Sequence, residues 1–163
     1  MPATPQVSER PAQAYVAVRA NVAMEQLPGL ADRLGEVFGW LAERDIAPAG
    51  PPFFRYHIID MERQLTVEAG VPVVTAVEGD SSVTAGVLPA GRYATSIHVG
   101  HYDGLIGAVD DLLRWAEGQG LEWDKSDAED GEHWGCRLEI YRTDPAEQPD
   151  PATWETQLAF RLK

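Results

Sequence analysis

The chain has 163 residues, 44% hydrophobic and 24% charged, which is enough apolar material for one domain with a real core. No stretch approaches the roughly 20 apolar residues of a membrane-spanning helix, and Met1-Pro-Ala-Thr-Pro-Gln6 has neither the basic region nor the apolar segment of a secretory signal. With 26 acidic against 13 basic residues the net charge is -13, which weighs against direct nucleic-acid binding and favours cationic ligands by long-range attraction. Cytoplasmic residence is the expectation. A lone cysteine, Cys136, precludes an internal disulfide and reads as a buried, inert thiol.

Residues 1–11 are polar and Pro-rich and are expected to form a disordered leader. Residues 12–163 then form a single domain. A strand is expected at about Ala14 to Asn21, followed by a helix from Leu27 in which Leu30, Leu34, Val37, Phe38 and Leu41 make one apolar face. Ile46-Ala-Pro-Ala-Gly-Pro-Pro52 stops it. Phe53 to Ile59 is an aromatic strand, and Leu65 to Val77 a second one, whose Gly70 and Pro72 suggest a bulge or an edge position. After a turn-rich joint come the strands Val83 to Leu88 and Arg92 to Val99.

A second helix covers Asp103 to about Gln119, with Leu105, Val109, Leu112, Leu113 and Ala116 buried and Gly118 or Gly120 as its cap. Asp124 to Glu132 reads as an acidic loop. The stretch from Trp134 to Tyr141 keeps the alternation of a strand, so Arg137, Glu139 and Tyr141 share one face and Leu138 and Ile140 the other. A last strand is expected near Trp154 to Leu162.

Trp40 and Trp115 lie 75 residues apart, and the same offset aligns Leu30 with Leu105, Leu34 with Val109, Val37 with Leu112 and Phe38 with Leu113. Together with the shared order strand, helix, strand, strand, this points to a tandem repeat of two β-α-β-β units, about 12–78 and 83–163. The fold class is α+β, an antiparallel sheet with both helices on one face. A ligand cleft is expected on the opposite concave face or at the junction of the units.

No dinucleotide fingerprint, phosphate loop or nucleophile elbow is present. His98 and His101 have the wrong spacing for a helical metal pair and no cluster of further ligands, so no metal and no cofactor is expected. His98 reads as a strand residue and His101 as one that caps or precedes the second helix. Phe54 and Tyr56 share one strand face, as do Glu139 and Tyr141, and if the two strands are equivalent in the repeat the two faces converge on one cavity. Glu139 is then either a solvated surface group paired with Arg137 or Arg142, or the polar anchor of an aromatic pocket suited to a cation. Trp134 either lines the cleft or covers the core, and stays among the cleft candidates.

Five segments carry a resemblance: Gly50-Pro-Pro-Phe-Phe-Arg-Tyr-His57, Val67-Glu-Ala-Gly-Val-Pro-Val73, Leu88-Pro-Ala-Gly-Arg-Tyr-Ala94, His98-Val-Gly-His-Tyr102 and Glu139-Ile-Tyr-Arg-Thr-Asp-Pro145. In this order they resemble a GyrI-like domain, the AraC-type effector-binding domain. The resemblance implies a tandem fold around a cleft for small aromatic or cationic molecules, with Glu139 as its acidic anchor and Tyr56, Tyr93 and Tyr141 among the lining rings. His101 departs from the small residue or Pro usual before the tyrosine, and the last strand lacks the usual Pro near its end. No helix-turn-helix precedes the domain, so a stand-alone version is expected.

Three functions follow from the resemblance. The first is a binding protein for drug-like molecules, acting in sensing, sequestration or resistance. The second is a hydrolase of strained electrophiles such as cyclopropane-bearing DNA alkylators, with Glu139 as general base and Tyr141 polarising the leaving group. The third is an inhibitor that contacts gyrase.

Overall fold

The computed structural model describes residues 3–60 and 62–163. Among them, ten strands form one antiparallel sheet: β1 (Ala3–Arg10), β2 (Gln13–Val22), β3 (Phe53–Ile59), β4 (Leu65–Pro72), β5 (Thr84–Leu88), β6 (Gly91–Val99), β7 (Lys125–Ala128), β8 (Gly131–Trp134), β9 (Arg137–Tyr141) and β10 (Glu155–Arg161). The order across the sheet is β1-β6-β10-β9-β3-β4-β2-β5, with the β7-β8 hairpin attached to β3. From the central β9–β3 seam, β10, β6 and β1 follow on one side and β4, β2 and β5 on the other.

Three helices cover one face: α1 (Leu27–Asp32), α2 (Leu34–Glu43) and α3 (Leu105–Gly118). Leu30, Val37, Trp40 and Leu41 on the first pair and Leu105, Leu112 and Ala116 on α3 are buried, whereas Leu34, Val109 and Leu113 of the expected stripes are half-buried and Phe38 is exposed, because these four border an open hollow. The single helix expected from Leu27 comes in two pieces, because the Arg33 amide bonds to the Leu30 carbonyl three residues back at 3.0 Å and tightens that turn. His101 caps the short turn ahead of α3, its side chain accepting from the Asp103 amide. Gly120, at φ +73°, closes α3, and the Leu121 amide reaches back to the Ala116 carbonyl at 3.0 Å.

Three expectations need correction. Residues 1–11 are not a loose leader throughout: Ala3–Arg10 runs as β1 along β6, where Val7 faces Ala94. Pairing with an edge strand satisfies backbone groups that a polar composition does not reveal. The acidic loop is the β7-β8 hairpin, in which Lys125 Nζ sits 2.8 Å from Glu132 and 3.4 Å from Asp127, so one cation offsets the repulsion. Gly131, at φ +123°, makes its turn against the Ile59 carbonyl, where a Cβ has no room. And Gly70 marks neither a bulge nor an edge: β4 is an interior strand, and Gly70 is the spot over which the Phe53 and Tyr15 rings close.

A bulge does occur in β3, between Tyr56 and Ile58. The extra residue lets Ile59 return to the helix face beside Phe54 and Tyr56. The opposite face carries a second, smaller core of Tyr15, Phe53, Tyr93, Cys136, Leu138 and Ile140. Cys136 is buried there and burial pushes its thiol up, in line with an inert role.

A Cβ at position 70 would stand 2.8 Å from the Phe53 ring and 3.2 Å from that of Tyr15. Gly70→Ala is therefore expected to cost about 1–3 kcal/mol through overpacking, read from urea unfolding. A variant as stable as the parent would mean that these rings yield freely.

Candidate functional site

The seam between the halves has an open hollow above it, on the helix face. β3 and β9 pair here with Phe54 opposite Glu139, so the alternation of both strands sends Phe54, Tyr56, Arg137, Glu139 and Tyr141 to the same side. The helices diverge over this seam and leave a cavity of about 1370 Å³. That exceeds the roughly 300–1,000 Å³ of common small-molecule pockets. Of the two places expected for a cleft, the junction holds it.

Aromatic rings form the floor. Phe54 meets Tyr141 edge-on at 5.3 Å between centroids and Tyr56 at 6.4 Å. Tyr102, from the turn before α3, extends this set at 5.7 Å from Tyr141 and is backed by Trp154 at 4.9 Å. The walls are apolar residues at matching places on the two helical arms, Ala31, Leu34 and Phe38 on one and Ile106, Val109 and Leu113 on the other. Each pair is separated by the 75-residue offset seen in the sequence. Asp32, Asp103, Asp110, Asp144 and Glu147 add carboxylates to the lining.

Glu139 is the polar centre. The Tyr56 hydroxyl donates to its Oε1 at 2.9 Å and the Tyr141 hydroxyl to the same atom at 3.0 Å. Oε2 accepts no hydrogen bond among the described residues. Its side chain keeps partial exposure toward the hollow, yet protein surrounds it on the longer scale that governs desolvation. Burial pushes its carboxyl above the usual range, against the opposing pull of the two tyrosine hydroxyls and the Arg137 charge. Burial and the neighbouring carboxylate in turn push both tyrosine hydroxyls well above their ordinary range, so each remains a protonated donor.

Of the six residues expected to bind a ligand, Phe54, Tyr56, Glu139 and Tyr141 come together on the lining. Tyr93 does not. It points to the opposite face, is 1% exposed, and donates its hydroxyl to the Pro89 carbonyl at 2.6 Å. Its place in β6 puts the sheet between it and the hollow. Trp134 is also off the lining, packed against Trp123 and Phe160 at 5.6 and 5.7 Å. From behind, it supports Arg137, whose guanidinium lies 4.9 Å from its ring centroid. Sequence reasoning missed Arg137 and Tyr102 as lining residues, although strand alternation already placed Arg137 on the face of Glu139. The helix positions gave no polar signal, since cavity-lining and core-filling apolar side chains look alike in a stripe. No group of three or more His, Cys, Asp or Glu side chains is arranged to hold a metal among the described residues.

Comparison with known proteins agrees with this layout. The model of the GyrI-like small molecule binding domain matches residues 3–163. The chain belongs to the GyrI-like family. Solved structures share the GyrI-like fold. The EcmrR C-terminal domain is 20% identical with a TM-score of 0.73, over 99% of this chain and 98% of that one. In the EcmrR–DNA complex the corresponding figures are 21% and 0.78, over 98% of this chain, which spans 57% of that longer protein. SAV2435, solved with tetraphenylphosphonium bound, is 9% identical with a TM-score of 0.64, over 98% and 94% of the two chains. A hydrolase from Listeria innocua is 15% identical with a TM-score of 0.60, over 98% and 91%. No curated protein sequence matches the chain. No helix among the described residues is long and apolar enough to cross a membrane.

The two hydroxyl bonds stabilise the ionised form of Glu139. Tyr56→Phe and Tyr141→Phe are each expected to move its titration further upward, followed by carbon-detected NMR of the labelled carboxyl. A midpoint that stays or falls would show that these hydroxyls do not donate to it.

Proposed function

We propose that this protein captures a small aromatic or cation-bearing molecule in the hollow, with Glu139 as its anchor, in the service of sensing, sequestration or resistance. The observation that carries this reading is the free Oε2 of Glu139 in a hollow floored by rings. A carboxylate withdrawn from water is costly, and a ligand cation would offset that cost. The partly exposed rings of Tyr102 and Tyr141 add cation–π attraction of roughly 0.5–2 kcal/mol each. The carboxylates of the lining and the net charge of -13 raise the local concentration of cations. The tetraphenylphosphonium-bound relative supports the reading at the level of fold.

Hydrolysis is a second reading, favoured by the raised carboxyl of Glu139, since a carboxylate lifted toward neutral pH is a better general base. Here it would direct water at a strained electrophile while Tyr141 donates its proton to the leaving group. The fold likeness to a hydrolase from Listeria innocua is in keeping with it. The two readings part at Glu139→Gln. Under capture, affinity falls; under hydrolysis, affinity stays and turnover of a cyclopropane-bearing alkylator disappears.

Glu139→Gln is expected to weaken tetraphenylphosphonium binding by roughly tenfold or more, as befits loss of a desolvated charge pair, measured by titration calorimetry. In the parent protein the affinity should fall as pH drops, starting above the usual carboxylate range, because protonation removes the anchor's charge. Unchanged affinity in the variant would remove Glu139 from the site. Stability follows the same carboxyl with its own sign. A raised pKa in the folded state favours the protonated form, so the contribution of Glu139 is complete below its unfolded pKa and is lost as pH rises through the folded one. The ligand-free parent should therefore gain melting temperature relative to Glu139→Gln as pH falls from about 7 to 4, followed by thermal denaturation.

A further inference from the structure

Arg137 enters the hollow two residues before Glu139, on the same face of β9. Its guanidinium is stacked between Phe160, 4.5 Å from the ring centroid, and Trp134, at 4.9 Å. Among the described residues it makes no hydrogen bond and no ion pair, Glu139 included. Its surroundings are protein nearly all round, and burial holds its pKa below the ordinary arginine value, although Glu139, Tyr56 and Glu132 oppose this. It remains a cation with N–H donors in a rigid fork. The side chain keeps its partial exposure on the hollow's side.

This is not how the fold treats its other enclosed guanidinium. Across the sheet, both terminal nitrogens of Arg55 donate, to the Tyr15 hydroxyl at 3.0 Å, the Gly135 carbonyl at 3.0 Å and the Val87 carbonyl at 3.3 Å, and only its Nε is left without a partner. A guanidinium without protein acceptors in an enclosed site costs free energy that a ligand oxygen regains. The stacking rings hold the fork in place beforehand, so less freedom is lost when that oxygen arrives. An exclusively cationic guest would instead meet a like charge beside its anchor.

We infer that the ligand is zwitterionic: an aromatic body carrying a cationic centre for Glu139 and a carboxylate that Arg137 binds through its fork. This rests on the capture reading above and narrows its ligand class. The two protein groups are two strand residues apart, roughly 6–7 Å along β9, so the ligand's two charges are separated by a comparable span. Fork-to-carboxylate pairing is bidentate and charge-assisted, which makes it selective as well as favourable.

Rhodamine B and its ethyl ester test this, because they share the cationic aromatic body and differ in the carboxylate. Fluorescence anisotropy at pH 7.5 should show the acid binding about tenfold or more tighter than the ester, the range of a hydrogen bond to a charged group. Arg137→Met, which can still pack on Trp134 and Phe160, should abolish the preference, and Arg137→Lys should reduce it. If the methionine variant does not fold, the parent ratio and the lysine variant decide. Equal binding of the two dyes, or a preference that survives Arg137→Met, overturns the inference while leaving ester binding and its dependence on Glu139 intact. Failure of both dyes to bind the parent overturns the capture reading as well.

Discussion

The free-energy cost of holding a carboxylate away from water shapes the centre of this molecule. Glu139 stands at the seam where β9 meets β3, so the two halves of the sheet cannot join without enclosing it. Two tyrosine hydroxyls at one oxygen and the nearby Arg137 charge offset part of the cost, and among the described residues no hydrogen bond reaches the other oxygen. A well-packed interior would close such a gap or exclude the charge. Here the helices stay apart and leave room for a guest.

The opposite face shows what the same chemistry looks like when it is closed. Glu68 is 6% exposed, and the Tyr15 hydroxyl donates to its Oε1 at 2.5 Å, with His57 on the same atom and Arg55 nearby. Burial raises its carboxyl, but the His57 and Tyr15 hydrogen bonds and the cationic neighbours outweigh this and hold it below the usual range. Glu68 thus knits β4 to β2 and β3. Glu139, with two tyrosines and an arginine but no histidine among the described residues around it, is displaced in the other direction. What separates them is the His57 ring, which reaches the Glu68 carboxylate directly and has no counterpart at Glu139. A deep carboxylate with one oxygen free and a guanidinium without an acceptor thus border the same cavity.

Much of the architecture was legible in the chain. Alternation placed β3 with the bounds found, and the stripes of the two helical arms named most of their buried residues. The shared face of Glu139 and Tyr141, and that of Phe54 and Tyr56, followed from period two alone, whereas their convergence needed the pairing of β3 with β9. Strand β1 and the β7-β8 hairpin were not legible, because both are polar and owe their form to an edge partner and to one lysine between carboxylates. Tyr93 was misplaced for a different reason. A motif match assigns a residue type to a segment, whereas parity within β6 decides which side of the sheet that residue reaches.

By itself, then, the order of residues determined the elements, the sorting of side chains onto opposite faces, and the acidic bias that favours cations. These are local or additive properties, settled by backbone geometry and by counting charge. Only the tertiary structure decided that β9 lies beside β3, that the helices part above that seam, and that Trp134 stands behind Arg137 while Tyr93 faces away. Register between distant strands depends on how two faces pack at once, and no single stretch of chain contains that information.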